Sequence, residues 1–156
     1  MSMMTLFSAL ALAAAPLPQG ERLPPPDFAE KEVIAVVDAL FATLEKGDGP
    51  ALLQLVYPQG RVTARGTLRS GFTGLRTQSF AEYAANMKLG SGFHEQISDM
   101  IVERDGDVAM VWAPFTVSIE GKVVSCGIDH FDFVRENGTW KVMNLTFSSR
   151  TEGCGA

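Results

Sequence analysis

The stretch CGIDHFDF, residues 126–133, decides how this chain is read. It has the make-up of a β-strand, yet two aspartates and a histidine stand among its apolar residues. An unpaired charge inside a protein is costly and tends to neutralise instead. Asp129 is therefore either a chemical group in a pocket or a solvated strand residue, and the two readings imply different functions.

The surrounding segments support the strand. Phe115, Val117 and Ile119 alternate with Thr116, Ser118 and Glu120, which makes one face apolar and the other polar. Strand patterns cover 93–104, 107–120, 122–136 and 139–150. Between them lie Asp105-Gly106, Glu120-Gly121 and Asn137-Gly138, pairs that accept positive φ cheaply in two-residue hairpin turns. In the last strand two facings fit: Trp140, Val142 and Asn144 inward, or Met143, Leu145 and Phe147 inward.

The first half is helical. Asp27-Phe-Ala-Glu30 is a capping box, apolar residues from Val33 to Leu44 follow at helical spacing, and Gly47 is the stop. Pro50 opens a short second helix through Tyr57. Residues 61–68 predict a strand and the Gly- and Thr-rich 69–78 a loop or flap. Ser79-Phe-Ala-Glu82 is a second capping box, with a helix expected to about Leu89. The fold class expected is α+β: a curved antiparallel sheet wrapped around about three N-terminal helices. Long strands curl, so the sheet should close into a cone with an open-mouthed cavity for a small ligand.

The chain has 156 residues, room for one domain, and a net charge of −5 with no basic stripe. A nucleic-acid partner and an anionic membrane surface are disfavoured. Residues 1–15 carry no charge and are apolar from Leu6 to Ala15, a run too short to span a bilayer. With a small-x-small site at Ala11-Leu12-Ala13 they read as a cleaved signal peptide, so the mature protein is expected to be periplasmic or secreted. Residues 16–27 read as a proline-rich linker, 28–150 as the domain and 151–156 as a flexible tail. Cys126 and Cys154 either form the disulfide that export permits or remain two free thiols. No metal-ligand spacing occurs, and no cofactor is expected.

The order of elements, with "FTVSIEGKVVSCGIDHFDF" (115–133) and "VVDALFATLEKGD" (36–48), resembles the nuclear transport factor 2-like superfamily. Its members include ketosteroid isomerases, scytalone dehydratases and polyketide cyclases built on a cystatin-like cone. Ile128-Asp129-His130-Phe131 is similar to the string that carries an aspartic acid in the ketosteroid isomerases. There it stays protonated and donates to an oxyanion. The resemblance implies that Asp129, Phe131 and Phe133 face inward, and His130 and Asp132 outward. It also implies a tyrosine at the position of Leu40 and an aspartate base at that of Ala64. Both are missing, so ketosteroid isomerisation by the family's own residues is disfavoured.

The candidate catalytic residue is Asp129, with His94, Tyr57 and Tyr83 as further hydroxyl or imidazole groups. Leu40, Phe115, Val117, Ile119, Asp129, Phe131, Phe133 and Met143 are the expected ligand-binding set. Arg61 and Arg65 are placed to hold an anion at the mouth. Three functions fit: an exported binder of a small apolar or aromatic molecule, an isomerase, dehydratase or cyclase using Asp129, or an interaction module. A homodimer is expected through the outer sheet face, with Trp112, Thr116 and Ser118. A second titratable group sharing the cavity with Asp129 would favour the enzyme.

Overall fold

The structure is a computed structural model, which describes residues 27–155. The expected signal peptide and nearly all of the expected linker fall outside the described residues. The elements are α1 (Phe28–Lys46), α2 (Gly49–Leu55), β1 (Val56–Thr67), β2 (Thr73–Ser79), α3 (Phe80–Ala85), β3 (Phe93–Ile97), β4 (Ile101–Asp105), β5 (Val108–Ile119), β6 (Lys122–Glu136) and β7 (Thr139–Ser149).

Both capping boxes form. Asp27 accepts from the Glu30 amide while Glu30 reaches back, and Ser79 and Glu82 do the same at α3. Gly47 ends α1 in the left-handed region at φ 70°. The turns Glu120-Gly121 and Asn137-Gly138 take positive φ at both residues, the geometry that matches the twist of the strands they join.

The strands run in the order β2-β1-β7-β6-β5-β3, with β4 paired to β5 beside β3. All pairings are antiparallel except β1 with β7, which are parallel. The sheet is thus mostly antiparallel, as expected, with one parallel junction. The chain crosses from β1 to β7 through the whole meander, so no hairpin dictates their direction.

Four local boundaries differ from the sequence reading. The 69–78 segment is half turn and half strand, because β2 completes a hairpin on β1. The expected strand 93–104 is two strands, since Asp99 adopts φ 45° between them. Helix α2 gives way to β1 at Val56 instead of running through Tyr57, and α3 ends at Ala85, short of Leu89. The facing of β7 has a mixed answer. A bulge skips Met143, since Asp132 pairs with Asn144 while Phe133 pairs with Val142. Trp140 and Val142 therefore turn inward before the bulge, and Leu145 after it.

The core lies between α1 and the concave sheet face. Val33, Val37 and Leu40 pack against Val111, Phe131, Phe133 and Val142, and Phe41 meets Phe131 edge-on with ring centroids 6.0 Å apart. Gly127 permits β6 and β7 to approach. A Cβ there would collide with the Ser148 carbonyl and come within 2.9 Å of the Phe115 ring. Gly127→Ala should therefore destabilise by about 1–3 kcal/mol, the usual cost of overpacking. A denaturant midpoint unchanged from wild type would contradict this tight contact.

The tail folds back. Cys126 and Arg150 exchange backbone hydrogen bonds of 3.0 and 2.9 Å, and Cys154 forms a disulfide with Cys126. The two cysteines are thus paired, and residues 151–155 are tied to β6.

Candidate functional site

The sheet and helices enclose a cavity of about 580 Å³, well inside the range of roughly 300–1,000 Å³ for small-molecule sites. Phe41 and Leu44 of α1, Phe115 and Val117 of β5, and Leu145 and Phe147 of β7 supply apolar walls. Phe115 and Phe147 stack edge-on at 6.1 Å. Val62 and Ala64 of β1 continue the wall across the parallel junction.

Asp129 lines this cavity and is 2% exposed. Its register partners are Ala113 and Phe147, neither able to hydrogen-bond it through a side chain. Its Oδ2 is buried without a hydrogen-bond partner. Burial pushes its carboxyl up to about 7, an effect that Glu95 partly offsets by donating toward it.

Glu95, which the sequence reading passed over, completes the site. On β3 the half-buried residues are Phe93, Glu95 and Ile97, and the exposed ones His94 and Gln96. Glu95 thus turns to the cavity and lies in register with Val117 of β5. Burial raises its carboxyl well above the ordinary value, and the Asp129 charge beside it raises it further. Two carboxyls in such contact cannot both ionise cheaply, so they titrate as a pair that keeps one proton. Asp129 gives up its proton first, since Glu95 donates toward it and the Asp129 charge then holds the Glu95 proton in place. The sequence did hold a signal: Phe93 and Ile97 are apolar at positions two before and two after Glu95, which puts all three on one face.

Tyr83 of α3 also lines the cavity. Burial first, then the charges of Glu95 and Asp129, push its hydroxyl up to about 12, against a lowering by Arg69. It stays a neutral donor at any ordinary pH. Phenol, carboxylic acid and carboxylate converge on one apolar space.

The other expected site residues lie elsewhere. His94 is on the opposite face of β3, exposed and paired with Glu45. The Tyr57 hydroxyl donates to Glu136 at 3.3 Å, outside the cavity lining. Leu40, Phe131 and Phe133 are fully buried core residues that do not line the cavity. Ile119, near the end of β5, and Met143, in the bulge of β7, are outside the lining as well. Arg61 and Arg65 are exposed and alternate with the inward Val62 and Ala64, so they point away from the mouth. The cations that line the cavity are Arg69, Arg76 and Lys88.

No protein-family model and no curated protein matches the chain. Solved structures do. A protein of unknown function with a cystatin-like fold from Nostoc punctiforme superposes with a TM-score of 0.64 at 15% identity, covering 79% of this chain and 92% of its own. A Streptomyces avermitilis protein, provisionally named a dehydratase from the NTF2-like family, gives 0.59 at 21%, over 81% and 99%. An NTF2-like protein from Novosphingobium aromaticivorans gives 0.61 at 17%, over 81% and 83%. The helices laid on a curved, unclosed, mostly antiparallel sheet are thus the cystatin-like fold of the NTF2-like proteins.

Proposed function

We propose that the protein is an acid–base enzyme of the isomerase or dehydratase type, acting on a small, mainly apolar molecule that carries a carbonyl or hydroxyl. One observation carries the reading: the unpartnered Asp129 Oδ2 shares an apolar cavity with the protonated Glu95 and Tyr83. A carboxylate near 7 is a base whose strength suits neutral pH. It takes a proton from carbon while Glu95 or Tyr83 donates a hydrogen bond to the substrate oxygen, where negative charge grows. The proton then returns at another carbon, or the oxygen leaves with a proton from Glu95. Asp129 acts here as the base, whereas the ketosteroid isomerase resemblance makes it a donor; Glu95 on β3 takes the donor part. The provisional name of the Streptomyces relative points to the same class. Simple binding without turnover, the first of the sequence expectations, predicts no need for a second carboxyl.

The test is exchange of substrate C–H protons for deuterium in heavy water, followed by proton NMR over a panel of small enolisable ketones. Wild-type protein should accelerate exchange on at least one panel member, and Asp129→Asn should return it to background. Glu95→Gln, which keeps a donor, should retain part of the rate. Exchange that survives in Asp129→Asn would sink the assignment.

Export is proposed on the uncharged apolar start of the chain together with the Cys126–Cys154 disulfide, since such bonds persist in oxidising compartments. The check is intact mass from the native host: a mature chain lacking about 13–15 residues is expected, and a chain still beginning at Met1 contradicts it. Self-association through the outer sheet face is proposed on Trp112, 45% exposed on β5 between Ile101 of β4 and His130 of β6.

A further inference from the structure

The cavity that holds the two carboxyls also gathers positive charge. Arg69 in the β1–β2 turn, Arg76 on β2 and Lys88 after α3 all line it. Each is exposed, whereas Asp129 is 2% exposed. The cations therefore mark the solvent end and the carboxyl pair the inner end. Arg76 stands opposite Ala64 in the β1–β2 register, on the face that Ala64 turns to the cavity. Arg69 is near enough to act on the Tyr83 hydroxyl.

Among the described residues the ion pairs join His94 to Glu45, Arg104 to Asp27, His130 to Asp132 and Arg135 to Asp107. Arg69, Arg76 and Lys88 enter none of them. The lining offers only two acidic side chains, Glu95 and Asp129, and burial favours the neutral form of both. Three uncommitted cations thus outweigh the acids of one cavity in a chain whose net charge is −5.

Such a field sorts ligands by orientation. A negative group is repelled by the inner carboxylate and drawn to the rim, where an arginine fork can meet a carboxylate or phosphate through two parallel hydrogen bonds. We propose that the ligand of this cavity is amphipathic, with a carboxylate or phosphate monoester held by Arg69 and Arg76 at the mouth and an apolar body reaching inward, its reacting oxygen at Asp129 and Glu95. The inference rests on the acid–base reading of the same cavity and adds the substrate class.

Titration calorimetry with three probes of one apolar body tests it: phenylbutanoate, its methyl ester, and phenylpropyl phosphate. At least one anion should bind roughly 10- to 100-fold more tightly than the ester, as charge-assisted hydrogen bonds allow. The tighter anion distinguishes carboxylate from phosphate as the natural group. Added salt should shrink the preference, and the double variant Arg69→Gln, Arg76→Gln should abolish it. An ester that binds as well as both anions, failure of both anions to bind, or a preference surviving in the double variant would overturn the proposal. Turnover is not read here. A cavity that prefers anions without exchanging protons keeps this inference and sinks the acid–base reading; one that exchanges protons on neutral ketones with no anion preference does the reverse.

Discussion

Raising the pH from about 5 to about 8 should weaken the folded state by a few kcal/mol, and Asp129→Leu should remove most of that loss. The sign follows from the raised carboxyl. In the unfolded chain Asp129 ionises near its ordinary 3.8; in the folded chain it holds its proton to about 7. Between those values the folded state binds more protons than the unfolded one, so stability falls as pH rises. The loss is complete once Asp129 is ionised in both states. Its size is on the order of 4 kcal/mol for this displacement. Glu95, also raised, extends the decline to higher pH. Glu82 works in the opposite sense, because its cap on Ser79 lowers its carboxyl. It adds stability as pH rises through the ordinary carboxylate range, which is why the window starts near 5. Asp129→Asn should flatten the profile as the leucine does and keep the shape of the site. Denaturant unfolding across pH, beside an NMR titration of the Asp129 carboxyl, reads both effects. A carboxyl that titrates near 3.9, with a profile unchanged in both variants, would return Asp129 to the status of a solvated strand residue.

Losing the Cys126–Cys154 bond is the second large effect expected. The disulfide closes a loop of sequence separation 28, and in the chain-entropy account such a closure is worth about 3–4 kcal/mol. Cys154→Ser should lower stability by that amount and the melting temperature by roughly 10 °C. The bond also secures the strand end behind the cavity, since Ser125 and Ser149 line it next to Cys126 and Arg150. Ligand affinity should weaken alongside stability. A Cys154→Ser protein that melts with the oxidised wild type would show that the cross-link is not formed, or that the unfolded chain is already constrained there.

Asp129 and its neighbours show how far residues speak for themselves. Capping boxes at Asp27 and Ser79, the left-handed stop at Gly47, and the turns Glu120-Gly121 and Asn137-Gly138 act over a few residues of chain. Their chemistry is complete in the local string, and all of them form. The period-two pattern of β5 and β6 likewise decides which side chains go inward, because one face of a sheet must leave water. That much determined an α+β cone with Asp129 in a strand.

The site itself depended on pairings between distant segments. His94 and Glu95 differ by one position, and a shift of one exchanges the faces of a strand; their facing is settled where β3 lies on β5, with Glu95 against Val117. The β7 bulge at Met143 reverses facing halfway along the strand, which no single alternation describes. Arg76 reaches the cavity because β2 folds onto β1, and Ala64 is drawn into the wall by its parallel contact with Phe147. The sequence by itself determined the helices, the turns and the inward face on which Asp129 lies, since these follow from local backbone preference and hydrophobic alternation. Tertiary structure alone decided that Asp129 meets Glu95 and Tyr83 under a rim of cations, because burial and mutual charge arise only when the curved sheet brings remote carboxyls into one water-poor space.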